Sequence, residues 1–73
     1  ATPTEEMLAE AFANVHDIPV ERIGRTDHFY EIGGTSLTAV KLAIATRRVV
    51  TLKEIAATPV LADLAALVDS RTA

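Results

Sequence analysis

The sequence predicts an all-α fold: three main helices and one short helix, with a long loop after the first. Three observations lead there. Of 73 residues, 49% are apolar, many of them alanine, and only 4% are aromatic, a composition that suits small helices packed closely together. Apolar residues recur at helical spacing in three separate stretches. Threonine caps, two of them followed at once by proline, stand ahead of helical segments. A chain of this length holds one small core, so residues 1–73 are expected to form a single domain.

The first helix begins at Thr2-Pro3-Thr4-Glu5, with Thr2 as N-cap, Pro3 at the first helical position and Glu5 closing a capping box; Thr4 is a rival cap. Leu8, Ala11, Phe12 and Val15 form its apolar stripe, while Glu6, Glu10 and Asn14 face elsewhere. From His16 to Thr35 no period persists for more than a turn, and Pro19, Gly24 and Gly33-Gly34 punctuate a long connection. Such a loop needs anchors, for which Ile18, Val20, Ile23, Phe29 and Ile32 are suited, and Pro19 to Arg22 can form one short turn.

Ser36 to Arg48 contains neither glycine nor proline, and the stripe Leu37, Val40, Ile44, widened by Ala43, predicts a second helix. Thr51-Leu52-Lys53-Glu54 repeats the capping-box pattern and starts a short helix through Ala57, contributing Leu52 and Ile55 to the core. Thr58 as cap and Pro59 at the first position open the last helix, whose stripe is Leu61, Leu64, Ala65 and Val68. The expected core includes Phe12, Phe29, Val40, Leu61, Leu64 and Val68.

Composition excludes several kinds of function. Without cysteine the chain has no disulfide framework, no thiolate metal site and no thiol nucleophile of its own, and cytoplasmic residence is the default. The net charge is -3, and apart from the adjacent Arg47 and Arg48 there is no basic block, so nucleic acid is not an expected partner. Apolar runs are far shorter than the roughly 20 residues of a membrane span, and no signal-like segment opens the chain, so a soluble protein is expected. A domain of this size buries only about 60% of its unfolded surface, which leaves little stability for a deep catalytic pocket.

The stretch with chemical content is Asp27-His28-Phe29-Tyr30-Glu31-Ile32-Gly33-Gly34-Thr35-Ser36-Leu37. A glycine pair delivers Ser36 to the start of a helix, where unpaired N–H groups and the positive end of the macrodipole favour an anion such as a phosphate ester. Placement there is worth about 0.3 to 1 kcal/mol when exposed. The glycines also leave space for an enzyme to reach the hydroxyl. For an arbitrary Gly-Gly-X-Ser the plain reading is a capping serine after a turn.

The context sets this one apart. An Asp, an aromatic pair, two glycines, one variable residue and Ser-Leu, with helices on both sides and Thr58-Pro59 before the last one, resemble the carrier-protein signature across the whole chain. Asp27, Phe29, Gly33, Gly34, Ser36 and Leu37 match it, and Tyr30 stands where a second phenylalanine is commoner. The resemblance implies a right-handed antiparallel bundle of the acyl-carrier type. It implies that Ser36 is the attachment point for 4'-phosphopantetheine, placed by a phosphopantetheinyl transferase from coenzyme A with magnesium. The thiol of that arm holds intermediates as thioesters, so a cysteine-free chain can handle them. The base and metal belong to the transferase, and the carrier itself is not an enzyme.

Charge separates the carrier subclasses. From Ser36 through Lys53 there are four basic residues, Lys41, Arg47, Arg48 and Lys53, and no acidic one. Fatty-acid carriers resemble the reverse, with an acidic second helix and Asp before the serine where this chain has Thr35. The peptidyl carrier (thiolation) domain of nonribosomal peptide synthetases fits better, and a polyketide-synthase acyl carrier is the runner-up. Thr35, Leu37 and Lys41 are then the expected partner-facing residues for the transferase and for adenylation, condensation and thioesterase or tailoring domains, with the domain itself a monomer.

Other readings fare worse. A serine hydrolase elbow needs glycine two residues after the serine, where this chain has Thr38. No Gly-Lys-Ser/Thr follows the glycine pair, which disfavours nucleotide binding. His16 and His28, isolated in loops, are assigned no chemistry or metal. An unmodified helical docking domain is opposed by the intact Ser36. One departure from the family stands out: between Ser36 and Thr58-Pro59 the chain is shorter than carriers usually are, with the missing stretch near Arg48-Val49-Val50. Either the second helix ends early or a loop is absent from the sequence.

Overall fold

A computed structural model describes residues 2–72. The elements are α1 (Pro3–His16), a single 3-10 turn (Val20–Arg22), α2 (Ser36–Ala45), α3 (Leu52–Ala57) and α4 (Leu61–Thr72). This is the all-α arrangement of three main helices and one short one. α1 packs on α2 and α4, and α2 packs on α3, around a core of Leu8, Phe12, Phe29, Leu42, Val50, Ile55, Leu61, Leu64 and Val68.

α1 starts where the sequence placed it. The Thr2 side chain accepts the Glu5 N–H at 3.1 Å, with Pro3 in the first turn. Glu5 does not complete a capping box. Its carboxylate instead takes a two-pronged bond from Arg25 Nε and Nη2, each at 3.0 Å, because a buried charge, here only 7% exposed, is tolerated when fully paired. The Arg25 guanidinium holds that carboxyl below its ordinary range, chiefly through the hydrogen bond. A partner 20 residues away thus outcompetes the local cap and straps the long loop to α1. α1 closes through Asp17 in the left-handed region, with the Ile18 N–H returning to the Ala13 carbonyl.

The long loop is bonded, not merely laid down. Phe29 N–H donates to Pro59 O, Leu61 N–H to Asp27 O and Ala62 N–H to Arg25 O. These last two carbonyls take amide protons that begin α4. That corrects the expected start: α4 opens at Leu61, two residues after Pro59, and Thr58 terminates α3 instead of capping α4. Among the expected anchors, Phe29 is fully buried and Ile18, Ile23 and Ile32 partly so, while Val20 is 40% exposed.

α2 differs from expectation at its end and in its orientation. It stops at Ala45, not Arg48; Arg48 N–H bonds to Ala43 O and Arg47 N–H to Ile44 O in a tight C-terminal turn. Arg47 and Arg48 both have positive φ, 57° and 61°, a left-handed conformation in which non-glycine residues are uncommon. The short connection to α3 therefore demands an abrupt reversal. The inward face of α2 is Ala39, Leu42, Ala43 and Thr46, and the stripe expected to face the core points outward: Leu37, Val40 and Ile44 are 65, 41 and 54% exposed. The helix is apolar on both sides, and the small side chains Ala39 and Ala43 permit the closer approach of its neighbours. Leu52, also expected in the core, is 42% exposed, whereas Ile55 is buried.

α3 carries the predicted capping box in full, with Thr51 Oγ1 accepting the Glu54 N–H at 3.2 Å and Glu54 Oε1 accepting the Thr51 N–H at 2.9 Å. Arg71 of α4 also pairs with Glu54 and donates to Val49 O at 3.0 Å, tying the last helix to the α2–α3 turn. Arg71, first, and the Thr51 amide hold the Glu54 carboxyl down at about 2.

Candidate functional site

The approach to Ser36 is a hydrogen-bonded coil. Ile32 N–H donates to His28 O, Gly33 N–H to Tyr30 O and Gly34 N–H to Phe29 O. Phe29 is its pivot, fully buried and set edge-on to Phe12 and Tyr30 with ring centroids 5.2 Å away in each case, and 4.6 Å from the His16 ring. Among the described residues His16 Nε2 is buried without a hydrogen-bond partner, and burial pushes its pKa down. The two glycines do different work. Gly33 has φ of +113°, closed to most L-residues, and open space around it. Gly34 is pressed against Phe29: a Cβ there would lie 2.5 Å from the Phe29 carbonyl oxygen and 2.7 Å from the ring.

Thr35 caps α2. Its Oγ1 accepts the Thr38 N–H at 3.2 Å and its own N–H donates to Thr38 Oγ1 at 2.7 Å, a capping box with threonine at both ends. Ser36 consequently need not cap. It occupies the first helical position, is exposed, and its hydroxyl forms no hydrogen bond among the described residues. A phosphodiester on that hydroxyl fits these surroundings: the helix start is open to solvent, its dipole favours negative charge, and no acidic residue lies in the first turn of α2.

Of the sequence-predicted partner residues, Leu37 and Lys41 are exposed one turn apart on α2, while the Thr35 side chain is turned to its capping role. Val40, Ile44 and Leu52, for which the sequence predicts an inward face, are exposed together with Leu37. The competing stripe Ala39, Leu42, Ala43, Thr46, at the same spacing, was the signal available in the sequence. Between α2 and α3, Val40, Ala43, Arg48, Val50, Thr51 and Leu52 line a cleft of about 250 Å³. Lys41, Arg47, Arg48 and Lys53 are all exposed, and Arg48 lines the cleft.

Residues 6–68 match the family model described as "Phosphopantetheine attachment site". The chain belongs to this family. Its prosthetic group is 4'-phosphopantetheine. Similar curated proteins include "D-lysergyl-peptide-synthetase subunit 2" of Epichloe festucae var. lolii, 44% identical over 72 residues covering 94% of this chain and 5% of that protein. "Enniatin synthetase" of Fusarium oxysporum is 42% identical over 73 residues, covering 94% of this chain and 2% of that protein. The chain therefore spans a small fraction of the length of the curated relatives it matches. Alignment with "FR901469 synthetase" of Dothideomycetidae sp. (strain 11243), 42% identical and covering 100% of this chain and, to the nearest per cent, 0% of that protein, runs over 77 positions, so that relative has residues without a counterpart here. Among solved structures, "The crystal structure of holo T3CT" superposes with a TM-score of 0.87 at 34% identity, covering 92% of this chain and 95% of that one. Among the described residues no helix is long and apolar enough to cross a membrane, and no group of three or more His, Asp or Glu side chains could hold a metal.

Proposed function

We propose that residues 1–73 form one peptidyl carrier domain, and that Ser36 is the acceptor for 4'-phosphopantetheine. The observation carrying this reading is the exposed, unbonded hydroxyl of Ser36 at the first position of α2, held out by a loop that Phe29 and Gly34 fix, in a chain of the attachment-site family. Loading by a phosphopantetheinyl transferase forms a Ser36 Oγ–P bond and breaks the pyrophosphate of coenzyme A, releasing adenosine 3',5'-bisphosphate; the transferase takes the serine proton. When bound, the arm supplies a thiol on which aminoacyl or peptidyl groups are held as thioesters. The chain's own residues display and orient the attachment point and are non-catalytic. Coenzyme A is an intracellular metabolite, which agrees with a cytoplasmic setting.

Similarity to nonribosomal peptide synthetases, together with four exposed basic and no acidic residues from Ser36 through Lys53, supports the peptidyl over the fatty-acyl class. The partners are then the transferase and the adenylation and condensation domains of a synthetase, with a thioesterase or tailoring domain where the pathway has one. To test the reading, the chain loaded with coenzyme A by a broad-specificity transferase is offered an amino acid, ATP and an adenylation domain. The loaded wild type should gain the aminoacyl mass and Ser36→Ala should gain neither arm nor amino acid. Acceptance of malonyl but no aminoacyl group would contradict the peptidyl reading.

The outward face Leu37, Val40, Ile44, with Lys41 beside it and Thr35 at its head, is the surface we assign to partner docking. Leu37 stands 65% exposed next to the attachment point, so charge there leaves the fold intact and spoils an apolar contact. Leu37→Glu should lower the transferase loading rate about tenfold, with thermal stability unchanged. An unaltered rate would remove Leu37 from the docking surface.

A further inference from the structure

The geometry points to His28 as the positioning residue for the Ser36 loop, acting through an unprotonated Nδ1. That nitrogen accepts two backbone N–H bonds, from Tyr30 at 3.2 Å and Glu31 at 3.3 Å. These amides head the coil 28–34, where N–H groups have no carbonyl one turn earlier to meet, the same deficit a capping side chain fills at a helix start. The rest of the coil then follows in order: His28 O accepts from Ile32, Phe29 O from Gly34 and Tyr30 O from Gly33. His28 is also paired as an isolated antiparallel bridge with Val60, so the coil's first residue is fixed to the start of α4. One imidazole thus locks the near end of the segment whose far end delivers Ser36.

An imidazole does this only when neutral. Protonated, both ring nitrogens are donors, and an N–H⁺ would face the two N–H groups it must bind. Groups that could offset this are few. On its own segment stand Arg25, Asp27 and Glu31; Tyr30 places its ring centroid 6.1 Å away; on α4 the nearest in sequence to Val60 is Asp63; and His16 lies against Phe29. None forms an ion pair with His28 among the described residues. A proton added to Nδ1 would therefore release both amides and loosen the coil. The effect on loading rests on Ser36 being the attachment point; the effect on the coil does not.

The test compares wild type, His28→Asn and His28→Ala. Asparagine is a preferred capping residue whose oxygen accepts the same amides and does not titrate. With coenzyme A and a broad-specificity transferase at about pH 8, wild type and His28→Asn should load equally and His28→Ala about threefold more slowly. Acidification should slow wild type relative to His28→Asn, by up to about the same threefold. Coincident pH profiles for wild type and His28→Asn, or a His28→Ala rate equal to wild type at the higher pH, would overturn the assignment. Amide NMR gives a reading that needs no loading: the Tyr30 and Glu31 resonances should titrate together with the His28 ring in wild type and stay flat in His28→Asn. Flat wild-type amides would sink the role of His28, whereas failure of all three proteins to load while those amides titrate would sink the carrier reading alone.

Discussion

Phe29→Ala is expected to lose about 3 to 5 kcal/mol of stability in urea denaturation, a large part of what holds the fold. The ring is fully buried, meets Phe12, Tyr30 and His16, and sits where the long loop crosses the bundle. Its backbone is engaged on both sides, donating to Pro59 and accepting from Gly34. A chain of 73 residues has a total stability of only about 4 to 11 kcal/mol, so truncation of this one side chain removes much of it. The cavity would open beneath the segment that leads to Ser36. A cost below about 1 kcal/mol would mean that the loop is not anchored by this ring.

Gly34→Ala is the second large effect, and it arises from contact, not from conformation. The new methyl carbon would stand 2.5 Å from the Phe29 carbonyl oxygen and under 3 Å from two ring carbons, inside any permitted contact. Backbone cannot rotate aside as a flexible side chain can, so the coil must open or Phe29 must leave its site. A loss of about 3 kcal/mol follows, the upper end of ordinary overpacking, which in a domain of this size lowers the melting temperature by more than 10 °C. Gly33→Ala makes an informative comparison, since that site has space but a φ of +113°. Its penalty is strain alone and should be smaller, about 1 kcal/mol. Equal melting temperatures for Gly34→Ala and wild type, by calorimetry, would refute the close approach.

What could be read from the sequence was the part determined locally. Thr2 and Thr51 cap because their partners lie three residues on, and Leu8, Phe12, Leu61, Leu64 and Val68 are buried because their helices have one apolar side. Errors fell where distant groups decide. Glu5 was drawn from its capping box by Arg25, α4 starts late because Arg25 and Asp27 carbonyls take its first amides, and α2 presents Leu37, Val40 and Ile44 outward because its alanines pack more closely. The geometry around the proposed acceptor was legible, because the Gly33-Gly34 turn and the exposed start of α2 at Ser36 are set within the motif. The apolar face and His28 were not, the first because two stripes competed, the second because its ring bonds to backbone rather than to a recognisable side-chain partner.

Carrier function depends on the Ser36 hydroxyl being the displayed acceptor. Fragmentation mass spectrometry after incubation with coenzyme A, magnesium and a broad-specificity transferase tests it most directly. The phosphopantetheine mass should appear once per chain, localised to Ser36, and be absent from Ser36→Ala; an unmodified wild-type chain, or the added mass on any other residue, would contradict it.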